Sequence, residues 1–373
     1  MKSGYSQSFL KNAEPLTLLA LVLTLLAGCA APGNSEKGQS HAPKYVFFPP
    51  APDEPHVQFL TAFNSERDLR GSKSDGFLTY LTGQQPRLLP ILKPYGGHAG
   101  GGKFYVCDTG QQVILKMDLA AKKMSVVTPD ADGAILDPYN LAVDTNGWLY
   151  VVDMVRKQLV VLDDQEHFVG TVGEKGQHKL MDVALTGDRI YLSDVTDHNV
   201  HVLDKLTRTH LFDIPRNEDQ TNLVSRLFQP INITLDAQGR LYVSDLGASQ
   251  VKIFDANGKF LRAIGQHAID YGCFFRNKGV AVDRNNYVYV ADAAFQNVQI
   301  FDEQGRLLMP FGGAKANQAS MQLPTKVLVD YDDVSYFQKY AAPNFQVEHL
   351  LVVLNQGLVW KVSVYGFGHL KKS

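Results

Sequence analysis

"GVAVDRNNYVYVADAAFQNVQIFDEQG", residues 279–305, contains three short apolar runs separated by Asp, Asn and Gly. The first, Val280-Ala281-Val282-Asp283, leads into the turn Arg284-Asn285-Asn286 and then Tyr289-Val290-Ala291-Asp292. A loop follows, then Val298-Gln299-Ile300-Phe301-Asp302, a second turn Glu303-Gln304-Gly305, and a fourth run ending at Gly312. Each turn ends in Asn or Gly, the residues that most easily adopt the positive φ of a tight hairpin. The stretch therefore predicts four antiparallel strands, too few to bury both faces alone.

The unit recurs along the chain. Tyr105-Val106-Cys107-Asp108, Tyr150-Val151-Val152-Asp153, Tyr191-Leu192-Ser193-Asp194, Tyr242-Val243-Ser244-Asp245 and Tyr289-Val290-Ala291-Asp292 follow one another at steps of 45, 41, 51 and 47 residues. Leu351 to Asn355 supplies a sixth copy with Asn at the Asp position. Strand units at this period belong to radial arrays, and the expected fold is all-β: a six-bladed β-propeller of four-stranded antiparallel blades. Asp108, Asp153, Asp194, Asp245, Asp292 and Asn355 are read as structural, accepting amide hydrogen bonds from the next turn. The third strand alternates in polarity, which predicts a position near the solvated rim.

A propeller must close, because an open ring leaves unpaired strand edges. The sixth copy offers strand one near Lys326, strand two at Leu350–Leu354 and strand three at Leu358–Val362, and then ends. The strand-like segment Val57–Phe63 is unassigned and is expected to close the ring as the last blade's fourth strand. Residues 332–348 read as an insertion into that blade, either a helix, a lid or a brace. Residues 64–87 suggest a short helix ahead of the first blade.

The 373 residues carry a formal charge of −2 and are 45% hydrophobic, so no basic field argues for nucleic acid. Residues 1–28 read as a signal peptide: Lys2 and Lys11 flank an eleven-residue apolar run, Leu16–Leu26. That run is too short for a bilayer span, which needs about 20 residues. It ends in Leu26-Ala27-Gly28-Cys29, which resembles a bacterial lipobox with Cys29 as the lipidated residue. Ala30 follows where an inner-membrane retention signal would have Asp, which points to the outer membrane, facing periplasm or surface. Residues 29–44 would then be a polar tether and 45–373 the propeller. Cys107 and Cys273 are expected as free thiols, and no haem or zinc cysteine spacing occurs.

The repeat resembles the NHL family over about residues 94–365, with Asn140-Leu141-Ala142 and Asn232-Ile233-Thr234 keeping its Asn position. The Pro-rich run from Tyr45 to Pro55 is similar to that of bacterial six-bladed NHL-type lipoproteins. The resemblance implies the fold and leaves function open.

Ligands of propellers gather at the central channel. The matching positions are taken as Gly97, Asn140, Asp182, Asn232, Gly279 and Lys326, with Thr109, Arg156, His198, Ser249 and Phe295 on the loops of the same side. Asn140, Asp182 and Asn232 offer hard oxygens to a calcium ion, as in six-bladed lactonases, or serve only as strand caps. His98 replaces the small residue seen as Ala142, Ala184 and Ala281, either as a channel-facing ligand, in the manner of zinc-dependent lyases, or as a filler beside glycines. No nucleophile elbow, P-loop or HExxH motif occurs. The expectation is thus a non-catalytic, lipid-anchored, protein-binding module of an extracytoplasmic complex, with no cofactor. The alternatives are a calcium- or zinc-dependent lactonase, esterase or lyase, and a docking accessory to electron-transfer proteins without haem of its own.

Overall fold

The computed structural model describes residues 45–71, 88–173, 176, 178–216, 222–314, 317–358 and 360–372. The segments read as signal peptide and tether, Cys29 among them, and residues 72–87 lie outside them. Two strands come first, β1 (Val46–Phe48) and β2 (Val57–Phe63), then a short helix α1 (Glu66–Arg70). Blade one is β3 (Pro94–Gly100), β4 (Lys103–Asp108), β5 (Val113–Asp118) and β6 (Lys123–Val126). Blade two is β7 (Pro138–Val143), β8 (Leu149–Asp153), β9 (Gln158–Leu162) and β10 (Phe168–Val172). Blade three is β11 (Leu180–Leu185), β12 (Arg189–Asp194), β13 (Asn199–Asp204) and β14 (His210–Ile214). Blade four is β15 (Pro230–Leu235), β16 (Leu241–Asp245), β17 (Gln250–Phe254) and β18 (Phe260–Ile264). Blade five is β19 (Asn277–Val282), β20 (Val288–Asp292), β21 (Asn297–Phe301) and β22 (Leu307–Gly312). Blade six is β23 (Pro324–Asp330), β24 (Phe345–Asn355) and β25 (Val362–Leu370), followed by β2 and, at its edge, β1.

The first strands β3, β7, β11, β15, β19 and β23 pack in a closed cycle, β23 against β3. Blades three and six therefore face each other across the axis. One apolar cluster fills each blade–blade interface. The predicted positive φ is present at Gly147, Gly239 and Asn286, where the first hairpin of three blades turns.

Ring closure follows the expected route. β2 pairs antiparallel with β25, Val57 opposite Phe367 and Phe63 opposite Val362. Val57 and Phe59 pack toward blade five, Leu60 and Phe63 toward blade one.

Three expectations need correction. Strand three of blade six is Val362–Leu370, not Leu358–Val362; Leu358 lies in an exposed loop, and Gly366 and Gly368 interrupt the apolar pattern of the real strand. Strand two of that blade starts at Phe345, because Phe345 and Val347 are buried, so the insertion ends before 348. Third strands are buried on both faces, whereas the fourth strands carry the exposed positions. The insertion forms helix α2 (Val334–Phe337) and acts as a brace: Phe337 is buried and stacks on Phe104 at 5.8 Å. Among the described residues no helix is long and apolar enough to cross a membrane.

Candidate functional site in the central channel

The register of strands one and two fixes a ring of equivalent positions. Asn140 lies opposite Val152, Asp182 opposite Ser193, Asn232 opposite Ser244 and Lys326 opposite Leu354. In blade one Pro94 lies opposite Asp108 and Gly97 opposite Val106, so the equivalent residue is Gly96, one place before the Gly97 expected from sequence. Gly279 completes the ring in blade five.

Asn140, Asp182 and Asn232 are fully buried, and Lys326 nearly so. The ammonium of Lys326 crosses the axis to Asp182 Oδ2 at 2.6 Å. Asp182 Oδ2 also accepts the Ile233 N–H of the next blade at 2.9 Å, and Oδ1 accepts the Val183 N–H at 2.9 Å. Burial pushes the Asp182 carboxyl up from its ordinary value; Lys326 and the two amides oppose that without cancelling it. The ion pair thus forms a bar across the channel waist. Asn140 Oδ1 accepts the Leu141 N–H at 3.1 Å, while Asn140 Nδ2 and both polar atoms of Asn232 have no partner.

On one side of this bar lies a cavity of about 320 Å³, lined by the innermost strands from Gly97 to Val329 and by Lys326. His98 faces it, and burial and then Lys326 lower the imidazole pKa to about 4, so it is neutral at physiological pH. The cavity continues to a mouth of about 570 Å³ bordered by His98, Arg284, Asp330 and Asp332. At that mouth the glycine hairpin of blade one is held by acids of the insertion: Gly101 N–H donates to Asp332 at 3.1 Å and Gly102 N–H to Asp333 at 2.9 Å. Asp330 behind them is pushed up to about 7 by burial and by neighbouring Asp333. On the other side of the bar Tyr95 and Tyr139 stack at 3.8 Å, and Lys278 lies 5.6 Å from the Tyr95 ring.

The loop candidates do not line the channel cavity. Arg156 donates to the carbonyls of Ala134 and Asp132, both at 2.9 Å. His198 Nδ1 lies 2.5 Å from the Phe228 carbonyl oxygen, and Ser249 Oγ lies 3.1 Å from His267 Nδ1. These side chains tie adjacent loops together. Phe295 packs near Tyr271 at 6.5 Å in the loop face. The repeat aspartates act as expected: Asp108 accepts the Gly110 N–H at 2.9 Å and also the Leu92 and Lys93 amides of the incoming loop. Asn355 differs, since its Nδ2 donates to Val353 and Ser363 while its Oδ1 has no partner. Cys107 and Cys273 are free thiols.

No protein-family model matches the chain. No curated protein matches it either. Among solved structures it is similar to a streptogramin B lyase, with a TM-score of 0.51 and 12% identity over 75% of this chain and 95% of that one. It is also similar to a structural-genomics protein of unknown function from Bacteroides thetaiotaomicron, TM-score 0.55, 14% identity, covering 83% of this chain and 75% of that one. The likeness is one of fold. At these identities it extends to the ring of blades and not to the side chains in the channel.

Proposed function

We propose that this chain is an exported, lipid-anchored propeller of the NHL type that works without catalysis, holding a protein partner in an extracytoplasmic complex at the outer membrane. The observation that carries this reading is the distribution of exposed apolar side chains. Most of the large ones among the described residues lie in the loops that enter strand one or leave strand two, all on one face: Leu136, Leu223, Ile269, Tyr271, Phe275 and Leu358. Tyr271 near Phe295, and Phe275 near His267 at 5.2 Å, make an aromatic patch of the kind that anchors protein interfaces. Exposed Lys157, Arg226 and Arg276 alternate there with exposed Asp132, Asp197 and Asp270. Mixed signs suit a protein partner; a bilayer-binding face would be basic around its apolar residues. The polar waist of the channel, meanwhile, is engaged in its own ion pair.

Crosslinking on intact cells tests the reading. A reproducible protein partner that Ile269→Asp with Tyr271→Ala removes would support it. Capture of lipid alone, or a partner indifferent to those changes, would refute it. A second reading, a metal-dependent lactonase, esterase or lyase, is favoured by the unpartnered side-chain oxygen of Asn232 beside the channel cavity. It requires hydrolysis or elimination by the purified protein that Asn140→Ala and Asp182→Ala abolish.

A further inference from the structure

Blade three breaks the repeat at one point. In blades one, two, four and five the strand-two Asp accepts two backbone amides of the incoming loop: Leu92 and Lys93, Leu136 and Asp137, Phe228 and Gln229, Phe275 and Arg276. At the place of the first amide, blade three presents the imidazole of His178, whose Nδ1 lies 2.8 Å from Asp194 Oδ2. The same oxygen lies 3.4 Å from His201 Nε2. Asp197 Oδ2 lies 3.3 Å from His178 Nδ1 and 3.4 Å from His201 Nε2. All four atoms are within 4.8 Å of one another.

These spacings are close to the edges of a coordination tetrahedron. A zinc ion with arms of about 2.0–2.1 Å to nitrogen and oxygen holds its ligands about 3.3–3.4 Å apart. His201 Nε2 is buried and has no hydrogen-bond partner, its neighbours at 3.4 Å being poorly aligned for one. Its other ring nitrogen, Nδ1, lies 2.8 Å from Asp213 Oδ1, which His210 Nε2 holds in turn at 2.8 Å. Against the opposing effect of burial, the carboxylates of Asp194 and Asp213 raise the His201 imidazole to about 9, so a bound ion would displace the Nε2 proton. With Nδ1–H donating to Asp213, Nε2 would then carry the lone pair, the carboxylate–histidine–metal arrangement of built zinc sites.

We propose that blade three holds a structural zinc site formed by His178 Nδ1, His201 Nε2, Asp194 Oδ2 and Asp197 Oδ2, with Asp213 orienting His201. In the bound state, two neutral imidazoles and two carboxylates sum to −2, which one divalent ion neutralises. Calcium is excluded by chemistry, since it takes six to eight oxygens where two of these four ligands are nitrogen. The ion would join the incoming loop, the end of β12, the loop after it and β13. Cavities of about 290 Å³ and 530 Å³ adjoin His178, the second also bordered by His201, and give a path from solvent.

The repeat itself supplies mild substitutions for the test. Blades one and two carry Leu92 and Leu136 where blade three has His178, and blade five carries Gln299 at the register of His201. The full chain, without an added polyhistidine tag, is stripped with chelator and titrated with Zn²⁺ and Co²⁺. The expected results are one zinc per chain, a visible cobalt spectrum of tetrahedral type, and a melting temperature that rises with zinc. H178L/H201Q removes the cobalt band and weakens zinc binding about 100-fold or more, and Asp213→Asn weakens it by about 10- to 100-fold. Absence of stoichiometric zinc, an octahedral cobalt spectrum, or equal zinc affinity in the double variant would each overturn the proposal. Should the double variant fail to fold, the wild-type cobalt spectrum and the Asp213→Asn shift decide.

Discussion

The two ring neighbours of Lys326, Gly96 and Gly279, have no room for a side chain. A Cβ on Gly279 would stand 2.7 Å from Lys326 Cα, and one on Gly96 2.2 Å from Asn140 Oδ1. Removing one member of a buried ion pair leaves the other charge without compensation, at a cost of about 3–5 kcal/mol. Lys326→Met is therefore expected to destabilise the protein by about that much in urea unfolding. Adding Asp182→Asn, which gives blade three the residue of blades two and four, should recover about half of the loss or more. No recovery would mean the pair is not the interaction that matters. Asp330 makes a separate prediction. Its folded pKa of about 7 exceeds the ordinary 3.8, so the folded state keeps a proton that the unfolded chain releases. The stabilisation is present below pH 4 and disappears as pH rises through about 7. Asp330→Asn should flatten that decline and melt higher than wild type at pH 8; an unchanged pH profile would exclude the shift. At this scale the sequence revealed five of the six residues of the ring, since the repeat supplies the register, and missed Gly96 by one place because the glycine run of blade one has no apolar pattern to align. It did not reveal that Asp182 and Lys326 meet, because that requires knowing that blades three and six are opposite. His178 and His201 went unnoticed for a related reason: they share no repeat position, and Asp194 was read as architecture.

The elements were legible wherever hairpins are local. The Asn or Gly that closes each turn sets the ends of strands one and two within a blade, and alternation does the rest. Blade six was harder in its local strands: Gly366 and Gly368 interrupt the apolar pattern of strand three, whereas closure by Val57–Phe63, about three hundred residues away, followed from the missing fourth strand. Third strands were misread for a different reason. His201, Lys252 and Gln299 occupy one register position, and their polarity suggests solvent. Lys252 is nonetheless buried, with its ammonium 3.4 Å from Asp245 Oδ2 and bonded to the Arg226 carbonyl. Polar side chains here secure the loop face from beneath. The insertion brace can be tested through Phe337, which stacks on Phe104 and meets Phe63 at 6.4 Å. Truncating a fully buried Phe costs about 3–5 kcal/mol through lost transfer energy and the cavity left behind. Phe337→Ala should lower stability by that order in denaturant titration, whereas a loss under about 1 kcal/mol would mean that 334–340 is a surface loop.

For the whole molecule the decisive feature is that β2, which ends more than three hundred residues before the chain does, is buried between blades five and one. Without it β25 would present a nine-residue unpaired edge, a template for another strand. The two apolar interfaces beside blade six would also open to water. Deleting residues 45–63 should therefore leave blades one to five able to form while the ring stays open. The expected result is a species that self-associates and binds hydrophobic dye, seen by sedimentation and fluorescence. A peptide of residues 45–64 should then restore the monomer in trans, because strand addition to a free edge supplies both the backbone hydrogen bonds and the side chains of Val57, Phe59, Leu60 and Phe63. The same peptide with Phe59 and Phe63 replaced by Asp should fail, since it can make the backbone bonds but cannot fill the two interfaces. A deletion variant that stays monomeric and melts like the full chain would mean that the five remaining blades and β23–β25 close without it.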